Sequence, residues 1–305
     1  MFESKAALFL YCVSPVHMGA GTALGAIDNP IQRERHTGHP CMAGSGIKGA
    51  MRHVAETLWD KGTVKKVFGP ETQASEHAGA LSLSDAQIVL FPVRSLRRSY
   101  VYATCPTALA RLQRLLTFAG QAQKWSIPNV SGEGCDLAND ELKTNGSLVL
   151  EAYEFKPSGD GQNLKTIAGW IATNALPNDE AHCYFREKIK SDIVLLADEK
   201  FSYFVRNATA VEPHVRINDD SGTADGGGLF YTENLPPEAL LVSLAMASKD
   251  RENGDLDAEK VLSTVKTGND SGNGFDGRLL QVGGDSTTGR GQVMLKFVAG
   301  EADNA

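Results

Sequence analysis

Short apolar runs alternate with long polar stretches along this chain, and the period of the runs changes from place to place. Residues 7–13 (ALFLYCV) are continuously apolar and stop at Ser14-Pro15, the pattern of a buried strand. From His17 to about Ala43 there is no hydrophobic period, and glycines at 19, 21, 25 and 38 with prolines at 30 and 40 mark a long loop. Loops of that length inside a domain are usually functional or disordered. Ile47, Met51, Val54, Ala55 and Leu58 then share one face of a helix that Ser45 opens. Residues 80–85 and 88–93 predict two strands and 100–104 a third. A helix follows over 106–121, with Pro106 near its first turn and Leu109, Leu112, Leu115 and Leu116 inward. Beyond it the pattern predicts a strand over 147–155, a helix over 181–196 and a β-rich stretch over 201–230 broken by DDSGTADGGG. An apolar run over 239–245 and a polar, acidic insertion over 249–277 precede a closing hairpin built from LLQVGG and GQVMLKFV. Strand, helix, two strands, helix, strand is the ferredoxin-like order of an α+β domain, here carrying long insertions. No short-period repeat is visible.

Composition narrows the class. The 305 residues are 42% hydrophobic and 22% charged, enough to bury a core without disulfides or a structural metal. No apolar run reaches the ~18 residues that span a bilayer, so no membrane partner is expected. Glu3 and the shortness of the first apolar run argue against a secretory signal. Cys12, Cys41, Cys105, Cys135 and Cys183 are scattered, with no CxxC pair, which points to a reducing cytoplasm. A net charge of −7 argues against a free-standing nucleic-acid binder. Yet residues 86–132 contain no acid and carry Arg94, Arg97, Arg98, Arg111, Arg114 and Lys124. Such a one-sign segment either faces a polyanion or solvates a strand edge and a helix face.

Three motifs suggest chemistry. Gly44-Ser45-Gly46-Ile47-Lys48-Gly49 spells GxGxxG, but the preceding TGHPCMA makes no convincing strand, so a dinucleotide site lacks its context. The same glycines allow close approach of an anion to a helix start, with Ser45 as cap and Lys48 and Arg52 four apart on one face. Ser45 to Lys48 also spells SxxK and Lys266-Thr267-Gly268 spells KTG, the order of a serine acyl enzyme, although the SDN element is missing. The long loop sets Asp28 and Glu34 among His17, Arg33, Arg35, His36 and His39. Asp28 can bind a divalent cation or steer a proton, or it can simply accept backbone N–H groups in a turn before Asn29-Pro30. Trp59, Trp125 and Trp170 read as core rather than as base-stacking platforms.

In combination, the strings SPVHMGAG, GAIDNPIQRERHTGHP, GSGIKGAMR, VFGPE, AGALSLSDAQIVLFPVRS, GGGLFYTENLPPEALL and GGDSTTGRGQV resemble one family closely. It is that of the backbone subunits of type III-B CRISPR effectors, the Cmr complexes, RAMP-superfamily proteins of the Cas-seven kind. The resemblance implies a single RAMP domain over 1–305, with an RRM-like palm, an active-site loop over 14–43 and a β-hairpin thumb over 200–235. It implies copies stacked into a filament on a guide RNA, beside other Cmr subunits. Thumbs would displace nucleotides of a bound target RNA, which is then cut at regular intervals in a reaction dependent on Mg²⁺ or Mn²⁺. Asp28 matches the family's catalytic and metal-anchoring aspartate, and His17 an active-site histidine. Ser45, Lys48 and Arg52 match a guide-phosphate site. Arg33, Arg35 and the glycine-rich loop residues Gly284, Gly289 and Gly291 are further expected RNA contacts, and Tyr231 and Glu233 further site residues. A catalytically inactive RNA scaffold of the same fold is the alternative.

Overall fold

The apolar run near the start of the chain becomes the central strand of the sheet. In Ser4–Cys12 every residue from Ala6 onward is buried, so both faces of this strand are covered. It pairs antiparallel with Leu240–Ala247 on one side and Gln292–Ala299 on the other, and Leu240–Ala247 pairs antiparallel with Ala86–Arg94. That spatial order is the ferredoxin-like one. The computed structural model describes residues 2–71, 77–224, 228–269 and 272–299.

Two hydrophobic cores lie on the two faces, as the two-residue side-chain period of a strand requires. Ala6, Leu8, Leu10 and Cys12 pack with Ile47, Met51 and Ala55 of helix Gly44–Leu58 and with Val261 and Val265 of helix Ala258–Thr267. Ala7, Phe9 and Tyr11 point the other way. They meet Leu109, Leu112 and Leu116 of helix Pro106–Phe118, Ile167 and Ile171 of helix Gln162–Asn174, and Ile189 of helix Cys183–Asp192. Those three helices belong to a long insertion between strands Ala86–Arg94 and Leu240–Ala247. The insertion also extends the sheet through Tyr100–Thr104, Ile193–Leu196, Gly134–Leu137 and Tyr153–Pro157.

Several elements differ from the sequence expectation, each for a local reason. The stretch expected as β-rich from residue 201 begins as helix Asp198–Asn207, where Phe201, Phe204 and Val205 form a buried stripe at helical spacing. The helical spacing of these buried residues decides for helix over strand. The expected helix over 181–196 stops at Asp192, and Ile193–Leu196 continues as a buried strand parallel to Tyr100–Thr104. The expected strand over 147–155 is two strands, Ser147–Leu150 and Tyr153–Pro157, turned at Glu151 with φ 51°. Residues 249–277 are not merely a polar insertion. They contain the second ferredoxin helix, and Val261, Val265 and Phe275 are fully buried. The hairpin itself is a separate two-stranded sheet, Ala210–His214 paired antiparallel with Phe230–Asn234. Of its expected tip, residues 225–227 lie outside the described residues.

The basic stretch 86–132 is partly answered from within the chain. Arg94 pairs with Glu151, Arg98 with Glu141 and Arg111 with Glu34, which offsets half of its six cations. Trp59 is buried, its indole N–H donating to the Asn273 carbonyl, and Trp125 and Trp170 pack edge to face against the second core. Among the described residues, no helix is long and apolar enough to cross a membrane.

Glu238 lies in the turn that returns the chain from the hairpin to the sheet, at φ 70°. The Tyr102 hydroxyl donates to it at 3.5 Å, and burial pushes its carboxyl up to about 7. An acid raised in this way holds its proton in the folded chain while the unfolded chain has already released it. Stability therefore falls as pH rises from the ordinary carboxylate value to about 7 and is level above that. Glu238→Gln is expected to raise the thermal midpoint at pH 8 and leave it unchanged at pH 4, as read by scanning calorimetry.

Candidate active site

Residues 14–43 contain little regular structure, yet they are held at many points. Isolated bridges join Val16 to Leu235, Gly19 to Ile31, Asn29 to Thr232 and Arg33 to Pro40. The principal support is the outer edge of hairpin strand Phe230–Asn234. The Tyr231 N–H donates to Asp28 Oδ2 at 2.7 Å, and the Tyr231 carbonyl accepts from Asn29 N–H at 3.0 Å. The Glu233 N–H donates to the Asn29 carbonyl at 3.0 Å, and the Glu233 carbonyl accepts from His17 Nδ1 at 2.7 Å. Four consecutive edge groups are thus satisfied by three loop residues. The two anchor residues are about 7 Å apart along the strand.

This docking defines the chemistry of both side chains. Asp28 accepts a backbone N–H, but from the distant hairpin rather than from its own turn, and Oδ1 has no hydrogen-bond partner among the described residues. Because a carbonyl only accepts, His17 carries a proton on Nδ1 and turns Nε2 away from this contact. A Cβ on Gly19 would stand 2.9 Å from Nε2, so the glycine leaves that nitrogen uncovered.

Glu233 and Arg33 play a different part from the one expected. The Glu233 side chain is only 3% exposed and pairs with Arg33. It also accepts from Thr209 Oγ1 at 2.8 Å and from Ile31 N–H at 3.0 Å. Arg33 further donates to the carbonyls of Gly38 and Val205. Three of its N–H donors are therefore directed inward, so Arg33 braces the loop against the helix and the hairpin, which is not the open RNA contact expected for it. Tyr231 is exposed, and Arg35 is exposed with no ion pair among the described residues. Burial alone would raise the Glu34 carboxyl, but hydrogen bonds from Thr37 and Arg111 outweigh it and hold the group below its ordinary value. His39 is buried against Phe201, and burial pushes it down to about 4, so it is neutral at pH 7.

The expected phosphate site is only partly open. Helix Gly44–Leu58 is capped at Ala43 without a side-chain bond, so Ser45 is not the cap. The Gly44 N–H instead donates to the Asp85 carboxylate at 2.9 Å. Lys48 Nζ donates to the Leu81 carbonyl at 2.7 Å, and burial, then nearby Arg52, lower its pKa. Arg52 is divided between Glu56 and the Gly69 carbonyl. Ser45, Gly46 and Gly49 are exposed. The GxGxxG glycine at 44 serves packing, since a Cβ there would lie 2.3 Å from the Leu83 carbonyl. The serine acyl reading fails because Lys48 is engaged elsewhere and Thr267 ends a helix.

The glycine-rich loop wraps the start of the active-site loop. Gly284 N–H donates to the His17 carbonyl at 3.0 Å and Gly291 N–H to that of Pro15 at 2.8 Å. Arg290 pairs with Glu212 on the hairpin. Sequence reasoning named Gly284, Gly289 and Gly291 but missed Gly283, Gly19 and Thr209. No sequence signal marks Thr209, whereas Gly283 was visible as one of a glycine pair.

A model of the RAMP superfamily matches residues 9–294, and the chain belongs to that superfamily. Within it, the chain is a homologue of the CRISPR system Cmr endoribonuclease Cmr4 of Pyrococcus furiosus, 35% identical over 296 residues covering 95% of each. The crystal structure of oligomeric Cmr4 from Pyrococcus furiosus superposes with a TM-score of 0.72 at 28% identity, covering 97% of this chain and 98% of that one. A chain of a type III-B Cmr-beta complex bound to cognate target RNA has the same fold, with a TM-score of 0.72, 17% identity, and coverage of 97% and 98%.

A Cβ on Gly283 would stand 2.3 Å from the His17 carbonyl oxygen, at φ 82°, whereas one on Gly284 would make an ordinary 3.7 Å contact with the ring. Gly283→Ala is expected to cost more than about 2 kcal/mol of stability and Gly284→Ala less than about 0.5, as read by denaturant unfolding.

Proposed function

We propose that this chain is the repeating backbone subunit of a type III-B CRISPR effector, binding guide RNA and cutting complementary target RNA at regular intervals. The observation that carries the reading is Asp28. It is fixed by one oxygen to the hairpin strand, free at the other, and shares that strand with His17. The names and structures of the Cmr relatives support it further.

An RNA strand can be cut by its own 2′-OH once that oxygen is in line with the leaving 5′-oxygen, a geometry that stacked A-form helix denies. The hairpin is suited to impose it as a wedge from a neighbouring copy. Val211, Phe230 and Tyr231 are exposed on it, followed by Val215, Ile217 and Leu229. The His214 and Phe230 rings stack with centroids 5.0 Å apart. Flipping one nucleotide supplies alignment. His17 Nε2 is the group placed to take the 2′-OH proton. Among the described residues no three His, Cys, Asp or Glu side chains gather as a metal site. The donor set therefore fits only a mostly hydrated Mg²⁺ or Mn²⁺, held by Asp28 Oδ1 together with RNA phosphates, where it would offset developing charge.

Guide contact falls to Arg35, Ser45 and the glycine-rich loop, with Lys48 and Arg52 available once they exchange a carbonyl for a phosphate. Sequence is read by base pairing. All five cysteines are free thiols, as a reducing cytoplasm would keep them.

Complexes assembled with Asp28→Ala are expected to retain guide RNA and bind target within about twofold, while cutting falls by at least about 10²-fold. Chelation of divalent cations is expected to stop cutting by the parent complex without releasing the guide. Unchanged cutting by Asp28→Ala would remove Asp28 from the reaction. Target binding with no cutting by the parent under any metal would favour the inactive scaffold.

A further inference from the structure

The Arg33–Glu233 pair sits next to the reaction centre without an open face toward it. Both Glu233 carboxylate oxygens are occupied, one by Arg33 and Thr209, the other by Ile31 N–H. Arg33 adds bonds to Gly38 in the far half of the loop and to Val205 near the end of helix Asp198–Asn207. One buried ion pair thus ties together the second arm of the active-site loop, the end of that helix and the root of the hairpin. The backbone of the same residue receives His17 on its carbonyl and donates to the Asn29 carbonyl, the residue after Asp28. A shift of Glu233 therefore moves both reactive side chains relative to the hairpin.

We propose that Arg33 and Glu233 form a positioning clamp for RNA cutting: they set the spacing of Asp28 and His17 against the hairpin and touch neither RNA nor a proton in flight. The proposal rests on the ribonuclease reading of the site. A glutamate so enclosed lacks the open lone pair that a general base needs. An arginine with both Nη1 donors and one Nη2 donor committed to internal acceptors is held in one orientation, away from the role of a mobile phosphate contact. Lysine cannot replace it, because a single ammonium does not span Gly38, Val205 and Glu233 in the planar arrangement a guanidinium allows.

The test uses complexes assembled with guide RNA and carrying Glu233→Gln, Arg33→Lys or Thr209→Val, in single-turnover cutting at saturating target. Misplacement by about 1 Å can cost on the order of 10²-fold. Glu233→Gln and Arg33→Lys are accordingly expected to slow cutting about 10- to 100-fold. Thr209→Val, which removes one bond and leaves the ion pair, is expected to slow it only a few-fold. Target affinity and guide content should stay within twofold of the parent, and the pH–rate profile should keep its shape. Loss of one limb of that profile in Glu233→Gln would overturn the clamp by making the carboxyl a proton-transfer group. A cutting rate within twofold of the parent in Glu233→Gln and Arg33→Lys would overturn it as well. Weakened guide retention by Arg33→Lys at normal cutting per bound guide would return Arg33 to RNA binding and overturn it. If the two clamp variants do not assemble, Thr209→Val decides alone, and an unchanged rate overturns the proposal. Asp28→Ala in the same assay separates the failures: Asp28 inert sinks the functional reading, whereas Asp28 essential with an inert clamp sinks only this inference.

Discussion

The docking of one short strand edge gives the active-site loop its shape. Backbone N–H and C=O groups on an exposed edge would otherwise need water or another chain. Here the edge of Phe230–Asn234 is closed by Asp28, Asn29 and His17, so the same bonds that finish the hairpin also place the reactive side chains. The buried ion pair behind this edge is not a source of great stability, because removing two charges from water offsets much of their attraction. Its value is in geometry. A carboxylate enclosed with three partners is held in one arrangement, and the loop adopts the arrangement that satisfies it.

The second face of the central sheet bears on nucleic-acid recognition. In RRM-like folds that face is commonly open and carries aromatic residues that stack on bases. Here Phe9 and Tyr11 lie under three insertion helices and are buried. Base stacking on the sheet is closed to this protein. RNA contact is left to loops and to the hairpin, which suits an assembly in which guide pairing rather than the protein reads sequence. The net charge of −7 agrees, since only part of the surface would need to face RNA.

The fold class was legible because the buried strands are pure apolar runs, and because Ile47, Met51 and Ala55 keep helical period without interruption. The errors have a common physical origin. In Asp198–Asn207 and Ala258–Thr267 a narrow buried stripe is diluted by polar residues facing solvent, so local composition hides the period. Asp28 and His17 stood out through the strings around them, and the structure brings both to one strand. The clamp was not legible. Arg33 and Glu233 are 200 residues apart, and nothing local to either says that an arginine five residues after Asp28 will turn inward. The pairing of the basic segment with Glu34, Glu141 and Glu151 was hidden for the same reason.

The Asp85 carboxylate at the start of helix Gly44–Leu58 changes what that terminus can attract. A helix beginning normally offers partial positive charge to an incoming anion. This one already holds an anion of its own, so a ribose-phosphate backbone crossing it gains little from the dipole and meets a like charge. On the proposed reading, the exposed small residues at 45, 46 and 49 would be a smooth landing strip, admitting the polymer by shape and leaving adhesion to cations on either side.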